Sequence, residues 1–373
     1  MRTMTGQPTA AGDDGRGTTG PRPGAATGRP LLPGQPGRPD VFTFGETMVA
    51  LRGSGPLKLG GTMNVSIAGA ESNVAIGLAR LGHHVRWAGA VGEDEAGQLV
   101  LRTLRAEGVE ISGAATDPRA PTGLLLFEPR LPEVTRVHYY RTGSAGSRLT
   151  AEVIRRAFSA APPRVLHLTG ITPALSPTTL SAARCALQLA EEHGSLVCLD
   201  VNFRARLWPA EEAAEVLREW IPAVDVLIAS DDELPLCLPG GGNGEGSLLP
   251  LWPQEIAAGD AAATVARQAG LLLDQGVEEI VVKLGAAGAT AFTHSGSLHR
   301  PAKTVRAVDA VGAGDAFVAG YLSALLDGEG TAGRLERAVT TGAFAVASPG
   351  DWEGAPTRSE LDMLGAPPGT VVR

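Results

Sequence analysis

VDAVGAGDAFVAGYL, Val308 to Leu322, decides how this chain is read. Two glycines flank an alanine, an aspartate follows, and an apolar helix begins at once. The turn Gly312-Ala313-Gly314 leaves backbone N–H groups unpaired at a helix start, where the helix dipole reinforces their pull on an anion. Glycine lets that backbone approach a bulky phosphate. Asp315 would repel a resting phosphate, so it needs a positive reason. In phosphoryl transfer an attacking hydroxyl must be held in line and must lose its proton. A carboxylate can accept that proton while the N–H groups stabilise the moving charge. The plainer reading, a helix cap, is weakened by a second acid at Asp309 and by small residues that a cap does not require. A dinucleotide fingerprint would want glycine at Phe317, and a Walker A loop would want Lys-Ser/Thr after its last glycine, so neither fits.

Upstream, short apolar runs alternate with amphipathic ones. VFTFGETMVAL reads as a first strand, AGAESNVAIGLARLG as a helix from Ala70, VRWAGAVG as a strand and DEAGQLVLRTLRAEG as a helix. TGLLLFEP and VTRVHYYR follow as two strands with no helix between them, which suggests a small accessory sheet. The alternation then resumes. RVLHLTG is a strand, SPTTLSAARCALQLAEEHG a helix with Ser176 as cap and Gly194 past its end, then SLVCLDVN, PAEEAAEVLREWIP, VDVLIAS, ATVARQAGLLLDQG and EEIVVKLG. This is an α/β pattern with a mainly parallel sheet covered on both faces. Residues 1–39, rich in Gly, Pro and Thr, read as a disordered tail. Residues 239–259 read as a flexible insertion.

In such a sheet, ligands bind outside the carboxyl ends of the strands. Those ends carry Asp200, Asn202 and Arg204 at alternate positions, Ser230 and Glu233, Lys283 with a glycine turn, and Asp309 with Asp315. Acids, an arginine and two glycine turns on one edge suit a phosphate-bearing ligand and a metal. A net charge of −8 argues against nucleic acid or an anionic membrane as partner. No apolar run nears the ~20 residues that a membrane span needs. Three cysteines without a CxxC pair suit a reducing compartment, so the expected location is the cytoplasm.

With these residues in hand, the chain resembles the ribokinase-like (PfkB) carbohydrate kinase family from about Phe42 to Leu364. AGAESNVAIGLARLGHHVRWAGAVGEDEAG is similar to the N-terminal family signature and DAVGAGDAFVAGYL to the C-terminal one. HYYRTGSAGSRL, HLTGITPALSP, LDVNFRARLW and SPGDWEGAP resemble the 2-keto-3-deoxygluconate kinase branch. The resemblance implies a Rossmann-type αβα sandwich with a small β-sheet lid, from about 47–67 and 120–141, in a domain spanning 40–366. It implies ATP-dependent phosphorylation of a sugar acid, with Mg²⁺ on the nucleotide and room for a monovalent cation, K⁺.

The roles are carried over position by position. Asp315 would be the base, and Gly312, Ala313 and Gly314 the anion hole. Gly69, Ala70 and Asn73 would hold sugar hydroxyls, Tyr139 and Arg141 would reach substrate from the lid, and Asp309 and Asp351 would surround the sugar. Arg204 would serve both the substrate carboxylate and the phosphates. Asn202, Lys283, Gly285 and Gly288, with Gly312 and Gly314, would face the nucleotide, and Glu233 would reach magnesium through water. Two arginines, Arg141 and Arg204, match the need of a carboxylate for bidentate cations. Exposed lid strands favour a homo-oligomer, a dimer or higher.

Three departures from the family pattern stand out. Leu125 replaces a frequent lid tyrosine, Ser230 replaces the asparagine of the magnesium motif while Glu233 is kept, and Ala310 precedes Val311 where threonine or proline is common. A neutral-sugar kinase, such as a fructokinase or a ribokinase-like enzyme, is the alternative within the family. A non-catalytic sugar-acid sensor is the alternative outside it, and would not need Asp315.

Overall fold

The computed structural model describes residues 30–131, 134–239 and 258–365. The first 29 residues of the expected tail and residues 240–257 of the expected insertion lie outside them. The tail was expected to reach residue 39, but Leu31 packs on the core, the Leu32 carbonyl accepts from Arg164 Nε at 2.7 Å, and Arg38 donates to the Pro163 carbonyl at 3.1 Å. The body of the molecule therefore begins before that boundary.

The strands are β1 (Val41–Phe44), β2 (Met48–Gly53), β3 (Met63–Ala68), β4 (Val85–Ala88), β5 (Ala90–Gly92), β6 (Ala115–Asp117), β7 (Leu124–Leu131), β8 (Val134–Tyr140), β9 (Val165–Thr169), β10 (Leu196–Asp200), β11 (Val226–Ser230), β12 (Glu279–Lys283), β13 (Ala289–Thr293) and β14 (Gly296–Arg300). The helices are α1 (Ala70–Arg80), α2 (Glu95–Ala106), α3 (Ala151–Ala160), α4 (Pro177–His193), α5 (Ala210–Trp220), α6 (Ala258–Leu273), α7 (Ala313–Leu326) and α8 (Thr331–Val346). An eight-stranded sheet runs β14-β13-β12-β11-β10-β9-β1-β4, parallel from β12 to β4 and closed at one edge by an antiparallel hairpin. Two apolar clusters cover its faces, one built on α3, α4 and α5, the other on α1, α7 and α8. The strands read as continuous apolar runs because both faces are buried.

Local signals explain several boundaries. Ser176 caps α4 in a reciprocal box with Thr179, Pro177 opens it, and Gly194 ends it with a left-handed φ of 69°. Two runs that each read as one strand are split. The first breaks at Gly45, where a Cβ would overlap the buried Glu71 carboxylate, and the second at Gly89, where it would overlap the Trp87 ring. The two breaks lie side by side, with Gly45 N–H bonded to the Ala88 carbonyl at 3.0 Å. Beyond Gly45 the chain leaves the large sheet as β2, which joins β3, β7 and β8 in a four-stranded sheet of order β3-β2-β7-β8. That sheet stands over the carboxyl ends of the large one.

Helix α7 is apolar on every side and nearly all of it is buried, as befits a helix enclosed between neighbours. It lies close to α1 because Gly77 faces Ala319, where an added Cβ would come within 2.7 Å of the alanine methyl. It lies close to α8 because Gly320 has no side chain to keep Thr341 away. Burying Phe317, Tyr321 and Leu322 contributes roughly 1.5–3 kcal/mol each. The N-terminus of α7 is therefore fixed by close packing on two sides.

A cleft between the large sheet and its lid

Between the two sheets lies a cavity of about 1100 Å³. Its floor is the start of α7. Gly312 has φ 74°, and any side chain there would overlap the Asp351 carbonyl, so only glycine fits. The Ala313 N–H turns back to the Ala310 carbonyl at 3.3 Å, and the Ala316 N–H bonds to the Gly312 carbonyl at 2.9 Å. The amides of Gly314 and Asp315 meet no acceptor among the described residues. Gly312, Gly314 and Asp315 line the cavity.

Asp315 is buried, and its Oδ2 accepts from Asn73 Nδ2 on α1 at 2.8 Å. Burial pushes its carboxyl up to about 7; the Asn73 bond opposes this, Asp200 adds to it, and Arg204 and Lys283 resist it. A carboxyl poised near neutrality can take a proton and release it again. The Asn73 Oδ1 is buried without a partner among the described residues, which leaves an acceptor for a ligand hydroxyl.

On the sheet edge, Lys283 Nζ at the end of β12 bonds Asp200 Oδ1 at the end of β10 at 2.7 Å. Asn202 Nδ2 reaches the other Asp200 oxygen at 3.3 Å. The segment after Asp200 was expected to be extended, with Asp200, Asn202 and Arg204 on one side. Asn202 instead has φ 41°, a left-handed conformation rare outside glycine. All three line the cavity, through a kink and not through strand alternation. The carboxylate of Glu233 accepts from the Phe203 amide at 2.8 Å and the Ser230 amide at 2.9 Å, which ties the ends of β10 and β11 together.

From the other side come residues of the lid and its neighbours. Arg141 grips the buried Glu46 with Nε at 2.7 Å and Nη2 at 2.5 Å, and Ser144 also donates to Glu46. Arg52 on β2 forks between Asp309 (2.9 Å) and Asp351 (2.6 Å) and lies over the Phe127 ring at 3.9 Å. Burial carries the Asp351 carboxyl up to about 6 against the pull of Arg52. Arg204 is exposed and among the described residues bonds only its neighbour's carbonyl, that of Phe203, at 3.0 Å, and Arg206 donates to the Val137 carbonyl on β8 at 3.2 Å.

The residues expected to act together are therefore mostly gathered. Gly69, Ala70, Asn73, Tyr139, Arg141, Asn202, Arg204, Glu233, Lys283, Gly312, Gly314, Asp315 and Asp351 line one cavity. Gly285, Gly288, Ala313 and Asp309 are outside its lining. Gly288 answers to packing, since a Cβ there would overlap the Arg300 carbonyl. Asp309 is held by Arg52 and by the Val311 N–H at 3.1 Å. Tyr139 and Tyr140 are neighbours on β8, and neither is core, at 44% and 61% exposure. Arg141 already has a carboxylate partner in Glu46 and Arg204 is in solvent, so an uncharged ligand would strand no buried charge on either.

Sequence reasoning passed over Glu46, Arg52 and Arg206. Applying the strand-end rule to β1, as to the other strands, finds Glu46 directly after Gly45. Arg52 carries no local signal, because its partners lie 257 and 299 residues away.

Comparison with known proteins accords with this geometry. The model of the pfkB family carbohydrate kinases matches residues 38–358. The 2-dehydro-3-deoxygluconokinase of Bacillus subtilis (strain 168) is 35% identical over 328 residues, covering 86% of this chain and 94% of that protein. The 2-dehydro-3-deoxygalactonokinase of Haloferax volcanii is 31% identical, covering 83% and 90%. The crystal structure of the 2-dehydro-3-deoxygluconokinase from Thermotoga maritima superposes with a TM-score of 0.73 at 25% identity, over 88% of this chain and 98% of the other. A glycine turn with unpaired amides at a helix start, a buried acid beside it and a family match across nearly the whole chain agree: the chain belongs to the pfkB family of ATP-dependent carbohydrate kinases and has the ribokinase-like fold.

Proposed function

We propose that the chain transfers the γ-phosphoryl group of ATP to the terminal hydroxyl of 2-keto-3-deoxygluconate, giving the 6-phosphate. The observation that carries the transfer is Asp315, a buried carboxyl with raised proton affinity beside the unpaired amides of Gly314 and its own backbone. The hydroxyl gives its proton to Asp315 as its oxygen attacks, and the amides hold the negative charge of the moving group. Asn73 steadies the carboxylate through its Nδ2.

A sugar acid is supported by the activities named for the similar proteins and by the cavity's cations. Arg141, Lys283 and Arg52 are each in ion pairs with carboxylates, whereas Arg204 and Arg206 make no ion pair among the described residues. Both sit on the loop after β10, and a substrate carboxylate there gains charge-assisted bonds without breaking a pair. Retention of Asp315 speaks against a non-catalytic sensor.

Among the described residues no three His, Cys, Asp or Glu side chains come together as a metal site, and both Glu233 oxygens already serve amides. Magnesium fits as a companion of the nucleotide phosphates, and Glu233 would be the residue placed to hold its water. When bound, it would neutralise phosphate charge.

The outer face of the lid bears Val65, Leu124 and Leu126, with Val65 about 60% exposed. A second copy of the chain is the proposed cover, giving a dimer through the lids. The three cysteines are free, which agrees with work in a reducing cytoplasm.

The test is a coupled ADP-release assay with ATP and Mg²⁺ over 2-keto-3-deoxygluconate, its galactonate-derived epimer, gluconate, fructose and ribose. The expected order puts the two keto-deoxy acids first by kcat/KM. Fructose or ribose ahead of both would replace this reading with the neutral-sugar alternative.

A further inference from the structure

Lys283 stands apart from the glycine turn that follows it. Gly285 and Gly288 lie outside the cavity lining, whereas Lys283 lines the cavity and its Nζ is 3.9 Å from where a Cβ on Gly314 would stand. Its partner Asp200 belongs to β10, and β11 lies between β10 and β12 in the sheet. The ion pair therefore does not join adjacent strands. It passes across the carboxyl end of β11 into the space before α7. Burial opposes the charge on Lys283, and Asp200, Glu233 and Asp315 together outweigh it, so the ammonium is kept above its ordinary proton affinity and stays charged. A buried ion pair is a poor device for stability alone, since apolar residues of similar size often hold a fold as well. A permanent cation here needs another reason.

We propose that Lys283, held in place by Asp200, is a further catalytic residue: its ammonium meets the γ-phosphoryl group in transit above the α7 amides. This rests on the reading of Asp315 as the base. In the step, the bond between the substrate's terminal oxygen and Pγ forms, and the bond from Pγ to the β-phosphate bridging oxygen breaks. The hydroxyl proton passes to Asp315, and ADP leaves with the electron pair. Negative charge then gathers on the phosphoryl oxygens and the leaving group, within reach of Nζ. In the resting enzyme the same ammonium offsets the charge of Asp200 against Asp315.

The groups facing Asp315 make the idea testable. They are Asn73 from α1, Asp200 from β10, Arg204 from the following loop and Lys283 from β12, with the Arg52–Asp351 pair in the wall of the cleft. Lys283 and Asp200 act on Asp315 with opposite signs. Lys283→Met removes a cation and unmasks Asp200, so Asp315 holds its proton more tightly and the acid limb of kcat/KM moves to higher pH. Asp200→Asn removes an anion and frees Lys283, so the limb moves to lower pH.

Steady-state kinetics against pH on Lys283→Met, Lys283→Arg, Asp200→Asn and Asp315→Asn decide it. Lys283→Met is expected to lower kcat by ~10²-fold, the scale for one lost transition-state donor, with the KM for ATP changed far less. Lys283→Arg keeps the charge and is expected to recover part of kcat and most of the limb position. Limbs of the Met and Asn variants that move together or stay still, or a Lys283→Met effect confined to KM, would overturn the proposal. Turnover by Asp315→Asn would instead remove the base itself, so the two failures can be told apart.

Discussion

The two sheets that enclose the cleft are built on different physics. The eight-stranded sheet is covered on both faces, and its carboxyl edge with the helices behind it presents groups locked in short pairs, Lys283 with Asp200 at strand ends and Asp315 with Asn73 between α7 and α1. The four-stranded sheet is covered only in part on the face turned from the cavity, where Val49 and Ile67 are buried but Val65 is not. Its inner side offers Leu125, Phe127 and Tyr139 to the cavity, and its outer side leaves Val65 in solvent. One wall is held within a close-packed interior and suits chemistry that tolerates little displacement. The other is thin, joins the first wall through long-range ion pairs, and suits recognition and partner contact.

The sharpest way to break this division is at the rigid wall. Asp315→Asn keeps the shape of the carboxyl and its bond to Asn73 can be rearranged, but the proton acceptor is gone. A fall in kcat of at least ~10²-fold is expected, with ATP affinity by calorimetry close to wild type. Replacing the recognition cations sharpens it. Arg204→Ala is expected to lower kcat/KM for the sugar acid ~10-fold more than for a neutral sugar, measured on the same preparation. Arg141→Ala is expected to lower both by similar factors, because its charge is already spent on Glu46 and its loss strands a buried carboxylate. A ratio that changes with Arg141 and not with Arg204 would reverse the assignment of the two arginines. The smallest effect belongs to the outer lid. Leu126→Asp is expected to shift the mass by light scattering from dimer to monomer while kcat changes by no more than a few-fold.

What could be read in the sequence was what local chemistry decides. Ser176, Pro177 and Gly194 announce α4 because a cap, a first-turn proline and a left-handed glycine act within a few residues. Gly312 and Asp315 announce the cradle for the same reason. The breaks at Gly45 and Gly89 could not be read, since they answer to a glutamate and a tryptophan ring packed into the space of a side chain. Asn202 reached the predicted cavity through a left-handed kink that no alternation pattern contains. Arg52 is the clearest loss: it looks like a surface residue of a lid strand, yet it joins that strand to two acids near the other end of the chain.

The central claim is that Asp315 is the proton acceptor, made so by burial at the start of α7. The pH dependence of kcat/KM in the unmodified enzyme tests it most directly, because that profile reports the free enzyme's essential groups. Burial places the Asp315 carboxyl at about 7, so the base form is present above that pH and is lost below it. The account predicts an acid limb centred near 7, falling about tenfold per pH unit below it. A rate unchanged down to pH 5, or a limb near the ordinary carboxylate value, would contradict it.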